Sequence, residues 1–140
     1  MATKAQQERI AGWVSRWKTR LLLDHWAIIV EYETAAYEYK RSDGRHSEGM
    51  AEITVDQRYR EARLKVYPSL LTMPVGYQRA TILHEIAHIV TWDVKKAAER
   101  AHQKGAFTAK ERDDLYESIT EDIAKIVLKE RNPRKDNYRL

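Results

Sequence analysis

Residues 81–92, near the middle of the chain, carry apolar side chains around most of a helical circumference and polar side chains along one stripe. The stripe includes His84, Glu85 and His88. A helix that is apolar on nearly every side must pass through a core, so the other elements have to pack around it. The polar stripe is therefore predicted to face a cavity.

The five residues from 84 to 88 read His-Glu-Ile-Ala-His, which is the pattern H-E-x-x-H. Histidines four residues apart leave the same face of a helix, so both rings can bind one metal ion. Glu85 projects to nearly the same side and would place a carboxylate beside water held there. His84 and His88 are therefore predicted metal ligands and Glu85 a predicted general base. The competing interpretation is two partly buried core histidines and a solvated glutamate.

Length and composition limit the class of protein. A chain of 140 residues with 43% hydrophobic and 33% charged residues predicts one folded domain over residues 1–131, followed by a basic tail over residues 132–140. The absence of cysteine excludes thiolate zinc sites, so a metal must be held by His, Asp or Glu. No secretory signal or membrane-spanning run is visible, so we expect a cytoplasmic protein without a membrane partner.

Basic charge is concentrated near the C-terminus. The net charge is +4, and residues 129–139 contain five basic against two acidic side chains. We interpret this segment first as a solvated tail and second as a phosphate-contacting one. Nucleic acid is therefore a candidate partner, although this charge does not require it.

Apolar spacing predicts three helices, over residues 5–23, 74–103 and 109–131. The first and last begin at capping-box patterns, Thr3 with Gln6 and Thr108 with Glu111. The middle helix is predicted to run unbroken through the motif and to stop at Gly105.

Alternation of apolar and polar residues predicts strands over residues 26–33, 51–56 and 62–67. The last two are close enough in sequence for a hairpin, so we expect a small three-stranded, largely antiparallel sheet. Residues 35–49 show no sustained period and are predicted to be mostly irregular. Helices and strands together predict an α+β fold.

A catalytic zinc site usually has a third protein ligand. The last helix can pack antiparallel to the motif helix, and it carries Glu117 and Glu121 on one face. One carboxylate could bind the metal while the other accepts the free N–H of a liganding histidine. The longer pattern of the metzincin family, H-E-x-x-H-x-x-G-x-x-H, is excluded, because the chain has Thr91 and Val94 where Gly and His are needed. The remaining candidate ligands are His25, His46, His102 and Asp122.

The motif, together with Glu-Ser-Ile-Thr-Glu at residues 117–121, resembles the gluzincin branch of zinc metallopeptidases. That family has H-E-x-x-H and, on a later helix, E-x-x-x-D with the Glu as third ligand. The resemblance implies that Glu117 binds Zn²⁺ and that Glu121, which stands where the family has Asp, supports a liganding histidine. Chain size and element order are similar to the minigluzincins and to related phage or prokaryotic proteins, which implies a zincin-like fold.

SprT-like metallopeptidases are a second resemblance, in which a third histidine follows the motif. His102 is similar in placement, but Gln103 follows it and Phe107 lies one residue late for the H-G-x-x-F context. This resemblance implies His102 as the alternative third ligand.

The family resemblance implies a zinc-dependent endopeptidase that acts on polypeptide substrates with Glu85 as general base. The alternative is a catalytically inactive, metal-stabilised binding module that associates with nucleic acid through its basic tail. Bound zinc without cleavage would favour the module, and bound zinc with cleavage the peptidase.

Overall fold

A computed structural model describes residues 1–40 and 46–131, with side chains described for residues 1–38 and 49–128. The predicted tail over residues 132–140 and the side chain of His46 lie outside the described residues. The predicted α+β class is confirmed, and the elements in chain order are α1 (Lys4–Arg20), β1 (Ala27–Tyr32), β2 (Glu38–Lys40), β3 (His46–Glu48), β4 (Ala51–Asp56), β5 (Glu61–Val66), α2 (Pro68–Leu71), α3 (Val75–Val90), α4 (Trp92–Gln103) and α5 (Ala109–Arg131).

The main sheet has three strands in the order β1-β5-β4. β4 and β5 form the predicted antiparallel hairpin, with Ala51 opposite Val66. β1 pairs with β5 in parallel, with Ala27 opposite Glu61, so the sheet is mixed and not largely antiparallel. β5 is the central strand of this sheet, and its inward side chains are fully buried. The long segment between β1 and β5, residues 33–60, allows their parallel pairing.

Residues 35–49 contain a second, two-stranded sheet that the sequence did not predict. β2 and β3 pair antiparallel, and the N–H of Gly49 donates to the main-chain oxygen of Tyr37 at 2.6 Å. Tyr37 stacks on Tyr67 with ring centroids 5.4 Å apart. A Cβ atom at Gly49 would lie 2.5 Å from the Tyr37 ring, so this close approach requires glycine.

The predicted helix over residues 74–103 is two helices, α3 and α4, which meet at Thr91. The Thr91 hydroxyl lies 3.3 Å from the main-chain oxygen of Ala87 and 2.8 Å from the hydroxyl of Thr120 on α5. A threonine hydroxyl that bonds one turn back competes with the helical ladder and bends the helix. Gly105, with φ of +80°, ends α4 as predicted.

The other helix boundaries follow the capping chemistry of their sequences. Thr3 and Gln6 form the predicted capping box at α1, with bonds of 2.9 and 3.1 Å. Thr108 and Glu111 form the second one at α5, with two bonds of 3.1 Å. α1 ends at Arg20, earlier than predicted, because Leu22 takes the left-handed conformation of a Schellman turn.

α3 lies in the middle of the fold and packs against α1, α5 and β4. Its apolar residues Ile82, Leu83, Ile86 and Ala87 are fully buried, as the apolar circumference predicts. Each fully buried large aliphatic side chain contributes about 1.5–3 kcal/mol to folding. Within the described part of the chain, no helix has the length and apolar character needed to cross a membrane.

Candidate metal centre

The two motif histidines converge on one carboxylate. Glu117, on α5, places one carboxylate oxygen 3.1 Å from Nε2 of His84 and the other 3.4 Å from Nε2 of His88. The two rings are nearly perpendicular, at 89°, with centroids 4.8 Å apart. The structure therefore brings both predicted histidine ligands and Glu117 to a single point between α3 and α5.

The outer nitrogen of each ring is held by a different group. Nδ1 of His84 donates to a carboxylate oxygen of Glu121 at 2.6 Å. Nδ1 of His88 lies 3.2 Å from the hydroxyl oxygen of Thr120, which is fully buried. With both Nδ1 atoms engaged, the Nε2 atoms are the ones left to face the common point.

Glu85 lies on the same stripe of α3 but contacts the sheet. The main-chain N–H of Ile53, on β4, interacts with the Glu85 carboxylate and favours the charged form. Burial raises the pKa of Glu85 to about 7. Among the described strands, β4 pairs with β5 alone, so its other edge is unpaired. The contact between Glu85 and Ile53 places this unpaired edge beside α3.

The protonated form of the His84 ring is stabilised by its carboxylate partner. The hydrogen bond to Glu117 raises the pKa of His84 to about 9, and the same bond lowers the pKa of Glu117. Burial lowers the pKa of His88 to about 4, which leaves this ring neutral. A cation that binds Nε2 of His84 would replace the proton held there.

The donor set fits a metal ion. Ligand atoms of His84, Glu85 and His88 lie within 4.8 Å of one another, so this group could hold one. Because the Glu85 carboxylate is turned toward Ile53 and the Glu117 carboxylate touches both Nε2 atoms, Glu117 is the better third donor. Donors in a tetrahedral zinc site lie about 3.3 Å apart, given bonds near 2.0 Å. The 3.1 and 3.4 Å contacts are close to that separation, each with a different oxygen of Glu117.

A cavity of about 290 Å³ lies beside this centre, on the side of His88 and Glu85. Residues 51–53 of β4 form one part of its wall, and Lys95 with two aromatic rings forms another. The Lys95 ammonium lies 4.4 Å from the Trp92 ring centroid and 5.6 Å from that of Tyr116. Among the described residues that line the cavity, Lys95 is the only lysine or arginine.

The other predicted candidates lie apart from this cluster. His25 is exposed in the turn before β1, and Asp122 is exposed on α5. Nδ1 of His102 donates to the main-chain oxygen of Phe107 at 2.8 Å, in the loop between α4 and α5. Sequence reasoning missed Thr120, whose only signal was its position three residues after Glu117, on the same side of the helix.

Comparison of the chain with protein-family models, with curated proteins and with solved structures gives no match. The H-E-x-x-H motif and the geometry of the residues around it therefore carry the functional proposal.

Proposed function

We propose that this protein is a zinc-dependent endopeptidase in which His84, His88 and Glu117 hold the metal. The observation that supports this proposal most is the convergence of the Glu117 carboxylate on the two Nε2 atoms, with one oxygen 3.1 Å from that of His84 and the other 3.4 Å from that of His88. The anchored Nδ1 atoms support the same proposal, because liganding histidines donate their other N–H to a fixed acceptor. Three protein donors leave a fourth coordination position for water or substrate.

Glu85 is the general base of the proposed reaction. Bound zinc supplies a Lewis acid that polarises the peptide carbonyl and makes water more acidic. Glu85 accepts the proton as the water oxygen adds to the carbonyl carbon. The carboxylic acid then gives that proton to the leaving nitrogen as the C–N bond breaks. The interaction with the Ile53 N–H favours the charged carboxylate that the first of these transfers needs.

The free edge of β4 is the proposed contact for the polypeptide. This edge lies beside α3, and residues 51–53 line the cavity that also contains Glu85 and His88. An extended peptide can add to such an edge through main-chain hydrogen bonds, which are independent of side-chain identity. A polypeptide substrate therefore agrees better with this cavity than a compact small molecule does.

Lys95 is the proposed second donor for the negative charge that develops on the carbonyl oxygen. Its ammonium is held over Trp92 and Tyr116 and lines the same cavity as Glu85. The Tyr116 hydroxyl is less suitable, because it donates to the main-chain oxygen of His88 at 3.4 Å. A fixed positive group in a partly enclosed site stabilises an oxyanion better than a solvated one does.

Replacing Lys95 by Met should lower kcat about 100-fold, since a single oxyanion donor contributes about that much. Zinc content should stay at the parent level, because Lys95 is not a ligand. Lys96→Met is the matched control, since the Lys96 ammonium lies 5.3 Å from the same Trp92 ring but does not line the cavity. Steady-state kinetics on one peptide should show the loss for Lys95 alone, and equal kcat values in the two variants would reject its role.

The proposal is tested by measuring zinc content and cleavage on the same purified protein. We expect about one zinc per chain, hydrolysis of an unfolded protein such as casein, loss of hydrolysis with a chelator, and recovery when zinc is restored. Zinc at full stoichiometry with no cleavage would instead favour the inactive binding module. Salt-dependent binding to DNA would then indicate a nucleic-acid role. A protein that binds no zinc would exclude both.

A further inference from the structure

Two buried threonine hydroxyls meet behind the candidate metal centre. The hydroxyl oxygens of Thr91 and Thr120 are 2.8 Å apart, and the two residues are 2% and 0% exposed. Thr91 marks the break between α3 and α4, and Thr120 lies on α5. The pair therefore links the end of the motif helix to the helix that carries Glu117.

Thr120 also contacts the metal-binding face through His88. Its hydroxyl oxygen lies 3.2 Å from Nδ1 of His88 and 2.9 Å from the main-chain oxygen of Tyr116. If a metal takes Nε2, the ring must carry its proton on Nδ1, and that N–H is buried. Thr120 can accept this N–H while its own hydrogen points to the Thr91 hydroxyl oxygen, and the Thr91 hydrogen points to the main-chain oxygen of Ala87.

We propose that Thr120 is a positioning residue for His88, which fixes the orientation and tautomer in which this ring binds the metal. The inference rests on the proposed metal site and does not depend on hydrolysis. The two histidines are then supported unequally, since His84 has the partly exposed carboxylate of Glu121 and His88 a buried neutral hydroxyl. The pattern E-x-x-x-E at residues 117–121 predicted the support of His84 by Glu121 but not the support of His88 by Thr120.

Thr120→Val should lower zinc affinity about 10- to 100-fold, because it keeps the shape of the side chain but leaves the Nδ1–H of His88 buried without an acceptor. Thr120→Ser keeps the hydroxyl and should bind zinc within about threefold of the parent. Thr91→Val is the matched control, since it removes an equally buried hydroxyl that does not touch the ring, and should also stay near the parent. Competition with a zinc chelator measures all four affinities.

A second measurement is independent of affinity. In the zinc-loaded parent, NMR should show a slowly exchanging Nδ1 proton on His88, and Thr120→Val should make that proton exchange faster or disappear. Should the valine variant not fold, Thr120→Ala against Thr120→Ser gives the same comparison, with the serine variant expected to bind about tenfold tighter.

Three results would overturn the inference: parent-like affinity in Thr120→Val, an equal loss in Thr91→Val, or a serine variant as weak as the one that lacks the hydroxyl. The last two would show that packing, and not the hydrogen bond to the ring, is what matters. If the parent itself binds no zinc, the proposed metal site fails instead, so the two failures are separable.

Discussion

Replacing Glu85 by Gln is expected to lower kcat about 1,000-fold while zinc stays at one per chain. General acid–base catalysis by a positioned carboxylate contributes about 10²- to 10⁴-fold, and an amide cannot accept the proton. Gln has nearly the same size and shape as Glu, and its amide oxygen can still interact with the N–H of Ile53, so the local structure should be kept. Elemental analysis and the cleavage assay, run on one preparation, measure both quantities.

The control for this prediction is His84→Ala, which should lose zinc and hydrolysis together because it removes a ligand. A Glu85→Gln protein as active as the parent would reject the role of Glu85 and, with it, the proposed mechanism. Loss of zinc in Glu85→Gln would have a different meaning. It would identify Glu85 as a ligand, in agreement with its position among the residues that could hold an ion.

Replacing Glu117 by Gln is expected to lower zinc affinity more than 100-fold, and thereby to remove activity at ordinary zinc concentrations. The change removes the anionic donor that contacts both histidines. Residues that only hydrogen-bond to a metal ligand already change metal affinity about 10- to 100-fold, so loss of a ligand should cost more. The rise in melting temperature that zinc gives the parent should be lost as well, because a ligand stabilises the folded protein only when its concentration exceeds its dissociation constant. Chelator competition and melting curves with and without zinc provide the measurements.

Two variants on the same helix separate Glu117 from its neighbours. Asp122→Asn changes an exposed carboxylate outside the cluster and should leave zinc affinity unchanged. Glu121→Gln removes the acceptor of the His84 Nδ1–H and should cause a loss of about 10- to 100-fold, smaller than that of Glu117→Gln. If Asp122→Asn loses zinc while Glu117→Gln keeps it, the third ligand has been assigned wrongly.

Local signals in the sequence predicted much of the fold. The two capping boxes start α1 and α5 as expected, because the hydrogen bonds involved join residues only three apart. The apolar circumference of the motif helix predicted its buried position, and the four-residue spacing predicted that the side chains of His84 and His88 lie together. The spacing of Glu117 and Glu121 predicted that both carboxylates face the motif helix.

The features that the sequence did not reveal depend on distant partners. The break at Thr91 involves the hydroxyl of Thr120, which no window around residue 91 contains. The parallel pairing of β1 with β5 joins Ala27 to Glu61, and strand alternation carries no information on direction. The left-handed conformation of Leu22 was not predicted either, because glycine and asparagine are the residues that normally adopt it.

The unpaired edge of β4 also bears on how the protein avoids self-association. An open strand edge is a template for pairing with another copy of the same chain, and proteins usually cover or interrupt such edges. Here α3 packs against β4, and the Glu85 carboxylate lies beside the N–H of Ile53 near the middle of this strand, so an added strand can pair with only part of the edge. A substrate segment of a few residues needs only part of the edge, whereas the long pairing between two copies that leads to aggregation would be interrupted at Glu85.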